Sequence, residues 1–306
     1  MRKTVMMQIL TAAILAISLV GAGGCDNGGG ESAAETSSLT PSSAVGVVHI
    51  NVAKARDAIT AAAEKDKEMF GPFLAYIELL KKIDSVDMFL VPSGREPMPM
   101  FAIRGGIGVD DVEGIIAQTP LKGAKLVKGE NGRYTIEGAP LMMIIGDEAD
   151  DVPAGVVLAG LAPMLTPEFI ASLGKEKNSV IEAMLSKVDT SAQIWGGVMM
   201  PKEEQKHGAP EQMFGSANIT GPEPLNISLL FTDKTHAADT MKEFNEEAPP
   251  FIKEVIALKQ DGATVNVSMI GEGNLIDNAT KMVKGMLGAM MGPMGQPAPP
   301  TPIDPS

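Results

Sequence analysis

The chain is poor in the residues on which several chemistries depend. Its 306 residues include one cysteine. An internal disulfide framework, a Cys-cluster zinc site and an iron–sulfur centre are therefore excluded. Three histidines, His49, His207 and His236, leave little material for a His-rich metal site. Positive charge is in deficit: 25 Lys+Arg stand against 38 Asp+Glu, a formal net charge of −13. Such a surface repels phosphate, so nucleic acid is not an expected partner. What is present is ordinary for a folded body. Apolar residues make up 44% and charged residues 21%, which excludes wholesale disorder.

The first 24 residues lack any acid. Arg2 and Lys3 form a short basic region. From Val5 to Val20 the run is apolar but for Gln8, Thr11 and Ser18. Gly21-Ala22-Gly23-Gly24 is small-residue only, and Cys25 follows at once. That order is the pattern of a secretory signal. The cysteine after small residues resembles the lipobox of bacterial prolipoproteins, although Ala22 stands where that family favours Leu. The resemblance covers residues 1–25 alone. It implies cleavage between Gly24 and Cys25, a diacylglycerol on the Cys25 thiol, and acylation, such as by palmitate, of the new amine. Two or more acyl chains hold a protein durably, whereas one holds it marginally. The partner so implied is a membrane, reached through Cys25, with the body facing the periplasm or the cell exterior. Two alternatives stand beside it: an uncut anchor over residues 4–24, long enough to span a bilayer, and ordinary signal cleavage. All three export the body. Loss of residues 1–24 removes two positive charges and no negative one, so the mature chain is more acidic still.

Residues 25–43 follow as the lipidated cysteine and a Gly-, Ser-, Thr- and Ala-rich linker, a composition expected to behave as a coil. Residues 292–306 form a proline-dense tail, expected to be disordered. The body between them reads as α+β: antiparallel sheets with packed helices. Strands are expected at 44–53, 86–92, 99–105, 133–137, 141–146, 155–160, 192–200, 214–220, 225–232 and 263–271. Helices are expected at 54–66 and 72–83, from Asp110, from Pro167 with Thr166 as cap, from Ser179 in a capping box, over 235–258 with a break at Pro249-Pro250, and from 274. A boundary near 165/166 divides the body into halves, 44–165 and 166–291. Ser93–Met98 is echoed by Thr220–Leu225, and Ile144–Asp147 by Met269–Glu272, at nearly the same offset. That pattern raises a duplicated α+β unit. In layout the chain also resembles uncharacterised exported bacterial lipoproteins built of two similar halves, a likeness that carries no known activity.

Four features invite a chemical reading. Arg104-Gly105-Gly106-Ile107-Gly108 lies between a strand and a helix, where backbone amides can cradle phosphate. The carboxylates of Asp110 and Asp111 already occupy that helix start, so a turn with acidic capping is expected. Asp147, Glu148, Asp150 and Asp151 gather hard oxygens but lack the alternation of a calcium loop, and are expected to be solvated. Met282, Met286 and Met290 share a helix face. Thioethers bind Cu(I), but Ile276, Ala279 and Val283 on the same face favour packing. The three histidines are scattered, and no strained nucleophile motif accompanies them. No catalytic residue, metal or cofactor is therefore expected. The favoured function is a non-enzymatic, lipid-anchored envelope protein that presents its body for binding or structural interaction. The alternatives are a carrier of a hydrophobic small molecule or lipid, and a hydrolase with a dispersed active site.

Overall fold

The computed structural model describes residues 36, 38–65, 77–94, 96–118, 124–219 and 225–291. The signal, Cys25, the linker up to residue 35, much of the helix expected at 72–83, the loop at 220–224 and the tail lie outside the described residues.

Among the described residues, twelve strands form one antiparallel sheet, in the order β11-β12-β10-β9-β8-β1-β2-β3-β7-β6-β5-β4. The strands are β1 (Gly46–Asn51), β2 (Ile83–Ser93), β3 (Glu96–Gly105), β4 (Leu126–Lys128), β5 (Arg133–Ile136), β6 (Leu141–Ile145), β7 (Val156–Leu161), β8 (Ile194–Met199), β9 (Gln212–Ala217), β10 (Leu225–Leu230), β11 (Ile256–Asp261) and β12 (Thr264–Met269). The helices are α1 (Val52–Lys65), α2 (Ile77–Leu80), α3 (Val109–Gln118), α4 (Pro167–Ser172), α5 (Ser179–Leu185), α6 (Lys202–Gln205), α7 (Lys234–Glu247), α8 (Pro250–Lys253) and α9 (Leu275–Met291). The fold class is α+β, as the patterning implied.

The two halves trace one path. Three strands run as a meander, β1-β2-β3 or β8-β9-β10. A helix follows, α3 or α7. The chain then returns so that its last strand, β7 or β12, pairs with the third strand of its meander. The first half adds β4 and β5 at its edge. The halves meet where β1 pairs with β8, His49 opposite Trp195 and Val48 opposite Gly196. Of the two sequence echoes, one is positional: Ser93–Met98 spans the end of β2 and the start of β3, and 220–225 lies in chain order between the end of β9 and the first residue of β10. The other is not. Ile144–Asp147 closes β6, whereas Met269–Glu272 closes β12, whose counterpart is β7.

Alternation sorts each strand's side chains onto two faces. Val47, Phe89, Met100, Ala102, Ile144, Leu158 and Trp195 pack on one face against Ile170 of α4 and Ile181, Met184 and Leu185 of α5. On the opposite face, Tyr134, Ile136, Ile145 and Val157 pack with Val112 of α3. Ala217, Leu225, Ile256 and Met269 lie there too, under Phe244 of α7, Ile252 of α8 and Leu275, Ile276 and Met282 of α9. Each half thus places the helix after its third strand on the same side of the sheet.

Three expectations change. Residues 38–43 belong to the body and not to a free linker: Leu39 and Thr40 are buried, and Leu39 packs with Phe89 and Ile170. Leu39 is the one large apolar residue of this stretch, and it enters the core with Thr40 and Pro41 buried beside it. Residues 256–261 form strand β11, not the end of a helix. Ile256 and Leu258 face inward, and the two-residue turn between Asp261 and Thr264 opens with Gly262 at φ 62. Glycine at the first position of such a turn is a hairpin signal. Helix α5 is capped by Asn178, which accepts from the Ile181 amide, and not by Ser179. Thr166 caps α4 as expected, accepting from Phe169 with Pro167 at the first turn.

Gly196 and Gly197 sit side by side on β8 but face different neighbours. A Cβ on Gly196 would overlap the Val47 carbonyl oxygen on the paired backbone, while one on Gly197 would lie 2.5 Å from the Met184 sulfur. A thioether side chain can swing aside; a ladder carbonyl cannot. Gly196→Ala is expected to cost about 2–3 kcal/mol, within the range for overpacking, and Gly197→Ala clearly less. Urea denaturation of both variants checks the order.

Candidate functional site

Apart from Asn51, which accepts from the Lys54 amide at the start of α1, the polar residues buried in the sheet gather around Asp87. On β2 it alternates with Phe89 and Val91, so its carboxylate points into the same apolar layer. His49 stands opposite it on β1 and Ala102 on β3. Asp87 is fully buried and His49 is 1% exposed. The His49 Nδ1–H donates to Asp87 Oδ1 at 2.7 Å. A carboxylate only accepts, so this bond fixes the imidazole tautomer. The Arg104 guanidinium, from the end of β3, donates to Asp87 Oδ2. The buried Thr36 hydroxyl donates to Oδ1 at 3.1 Å and lies 3.3 Å from His49 Nδ1. The Trp195 ring stacks on the imidazole with centroids 4.5 Å apart and an 18° interplanar angle. Ser85, opposite Arg104 in register, buries a hydroxyl oxygen with no hydrogen-bond partner.

Four elements are therefore tied at one carboxylate: β1, β2, β3 and the segment at Thr36. An arginine–aspartate pair sheltered from water attracts strongly, and each further donor offsets the cost of desolvating the carboxylate. The cluster is not built as a proton relay. Thr36 and Asp87 both approach Nδ1, so the hydroxyl and the carboxylate do not sit on opposite ring nitrogens as a hydrolytic triad requires.

The segment leading to β1 is held along its length. The Asn178 amide group donates to the carbonyls of Pro41, Ser42 and Ala44, at 3.3, 3.1 and 2.8 Å. Gly174, at φ +66, passes so close to the Ser38 carbonyl that a Cβ there would overlap it. The ladder begins only after this segment, where the Val45 amide donates to Leu90 at 2.8 Å.

Gly24 and Cys25, the residues of lipidation and cleavage, lie outside the described residues. In the glycine loop, Asp111 accepts from the Gly108 amide at 3.0 Å and from Lys82 at 2.6 Å, which holds its carboxyl below the usual value. Those contacts fill the helix start as expected. In the acidic loop, the Glu148 carboxylate accepts from Lys128 at 2.7 Å and from the Tyr134 hydroxyl at 2.6 Å. Asp151 pairs with Arg133 at 2.5 Å and Asp147 accepts from the Gly155 amide. Three of these carboxylates are thus engaged within the fold rather than simply solvated. Among the described residues, no group of three His, Cys, Asp or Glu side chains is arranged to hold a metal. Met282 is buried in a cluster with Leu275 and Ile276, as packing required; the side chains of Met286 and Met290 lie outside the described residues. His207 is exposed beyond α6. His236, in the first turn of α7, lies 3.1 Å from Asp233, so the three histidines do not gather.

Of the central cluster, sequence reasoning noted His49, and Arg104 only as the start of the glycine loop. Asp87, Thr36 and Trp195 were missed. The signal was parity: Asp87 shares its side of β2 with Phe89, Arg104 its side of β3 with Met100, and His49 its side of β1 with Val47. A charge on the inward side of consecutive strands needs a partner.

No family model matches the chain, and no curated protein matches it. Crystal forms III, I and IV of a protein named TP0453 are similar to it at 10%, 8% and 10% identity. They cover 81%, 81% and 82% of this chain and 97%, 96% and 99% of theirs, with TM-scores of 0.48, 0.41 and 0.39.

Asp87→Leu is expected to cost about 3–5 kcal/mol, because it removes the buried carboxylate that His49, Arg104 and Thr36 all bond. Adding Arg104→Met is expected to recover part of that loss, as read by urea denaturation of the single and double variants. A second expectation concerns acid. Asp111, Glu148, Asp189 and Asp233 are held below their ordinary values of 3.8 or 4.5, chiefly by bonds from Lys82, Lys128, Ser191 and the His236 amide. A depressed carboxyl contributes stability above its unfolded value and loses it as pH falls through the folded one. Stability is therefore expected to hold above about pH 5 and to fall steadily below it. Denaturation midpoints from pH 7 to pH 3 check this, and Asp233→Asn should flatten the acid limb.

Proposed function

We propose that the chain is a lipid-anchored bacterial envelope protein whose body serves binding or structural interaction and performs no catalysis. The observation that carries this reading is the lone cysteine, placed directly after an apolar, acid-free leader and small residues. Acylated there, Cys25 tethers all that follows to a membrane, and no nucleic acid is recruited by so acidic a body.

Two structural features support the reading. The chain is already docked at Thr36, so from Cys25 to the body it can reach at most about 36–40 Å, at 3.3–3.6 Å per residue. A body held that near the bilayer suits a partner at or close to the membrane surface. The arrangement around His49, with hydroxyl and carboxylate on one ring nitrogen, favours a structural role for the cluster over a hydrolytic one. Among the described residues no helix is long and apolar enough to cross a membrane.

Cys25→Ala, or globomycin treatment of cells making the natural chain, is expected to leave a full-length precursor without acyl mass. Intact-mass measurement of the membrane fraction checks it. Equal masses with and without treatment, and no acyl addition, would overturn the proposal.

A further inference from the structure

We propose that Thr36 and residues 38–44 form a releasable clasp that gives the membrane tether two lengths; the second length rests on the lipid-anchor reading. The segment lies on the sheet without joining it. Its bonds to the body include those from the Thr36 hydroxyl to Asp87 and from the Asn178 amide group to three of its carbonyls, and Leu39, Thr40, Pro41 and Ala44 are buried against the body. The first ladder bond comes later, at Val45. Within the segment, Leu39 and Ala44 donate to the carbonyls of Thr36 and Pro41, so its turns are closed locally.

What lies beneath the clasp does not need it. With Thr36 withdrawn, Asp87 keeps His49 and Arg104 as donors, so no buried carboxylate is orphaned. Opening admits water to a floor that is polar at Asp87, His49 and Arg104 and apolar where Leu39 leaves the layer of Phe89 and Ile170, a smaller cost than wetting a wholly apolar groove. Release thus detaches a short segment and leaves β1, β2 and β3 paired. Docked, the link from Cys25 to Thr36 is limited to about 36–40 Å; released as far as Val45, it extends to about 66–72 Å. The body then reaches partners well beyond the bilayer surface without leaving its anchor.

The test uses the full chain, made with its own leader, beside Gly174→Ala, which wedges a methyl against the Ser38 carbonyl, and Asn178→Asp, which keeps the oxygen that caps α5 but removes the three carbonyl bonds. Amide exchange is followed by mass spectrometry in 38–44 and, separately, across β1–β3. Both variants are expected to speed exchange in 38–44 at least tenfold and to change the strands less than twofold. Strands and clasp quickening together in both variants would overturn the proposal, as would a natural clasp that exchanges at the free-peptide rate. Length is read from Ser268→Cys, whose thiol is the only free one once Cys25 is acylated. Energy transfer from a dye there to acceptor lipids in vesicles is expected to fall at least twofold in the two clasp variants. Unchanged transfer overturns the two-length tether. If the natural chain carries no acyl mass, the anchor and the second length fail together, while the exchange result still decides whether the clasp opens on its own.

Discussion

Asp87 carries one negative charge to the middle of a sheet where water does not reach. That charge is tolerable only while donors surround it, and the donors come from different parts of the chain. His49 belongs to the strand before, Arg104 to the strand after, and Thr36 to the segment that enters the body. The constraint is geometric as well as electrostatic. A one-residue slip of β2 would turn Asp87 to the other face and put Met88 or Val86 in its place among the donors. The carboxylate therefore fixes the register of three strands at the seam where the halves meet. Trp195, reaching across from β8 to stack on His49, extends that registration into the second half.

The two halves follow the same path, but they do not share this cluster. In the second half, Gly197 and Phe214 lie on the same face of the corresponding first and second strands, and Phe214 packs at the margin of the layer that holds Trp195. Met184 of α5 settles over Gly197, filling the space that a side chain would take. One half is thus specified by charge and the other by shape. The helices after the third strands lie on one face, which leaves the other face to α4, α5 and the entering segment.

Most of the architecture was legible because alternation is a direct image of a sheet. AVGVVHINVA, VDMFLVP and ATVNVSMIG each show an inward and an outward series, and each contains or lies within a strand, although Val52 and Ala53 at the end of the first already belong to α1. Thr166-Pro167 names a helix start because its hydroxyl and its fixed φ do one task each. The failures have physical causes. Ile256–Asp261 follows a true helix directly, and its inward Ile256 and Leu258 read equally well as one more helical turn. Only the Asp261-Gly262 turn distinguishes them. The segment 38–43 looks like a linker because it carries a single large apolar residue, Leu39; bonds from Asn178, more than a hundred positions away in the chain, add to the hold. The central cluster escaped for a related reason. Parity says that Asp87 points inward, but which guanidinium meets it depends on pairing that no local window contains.

Only the pairing of β1 with β8 stitches the halves of the sheet together among the described residues. Synthesis delivers the chain from its amino end, so β1 to β7 are complete before β8 emerges. Throughout that interval β1 shows a bare row of amides and carbonyls along one side, with Val48 and Ile50 half-open beside it. Any other extended chain nearby can add to such a border. The molecule's vulnerable period is thus set by the wait for one tryptophan-bearing strand, and whatever shortens that wait, or shields β1 during it, guards the yield of correctly joined protein.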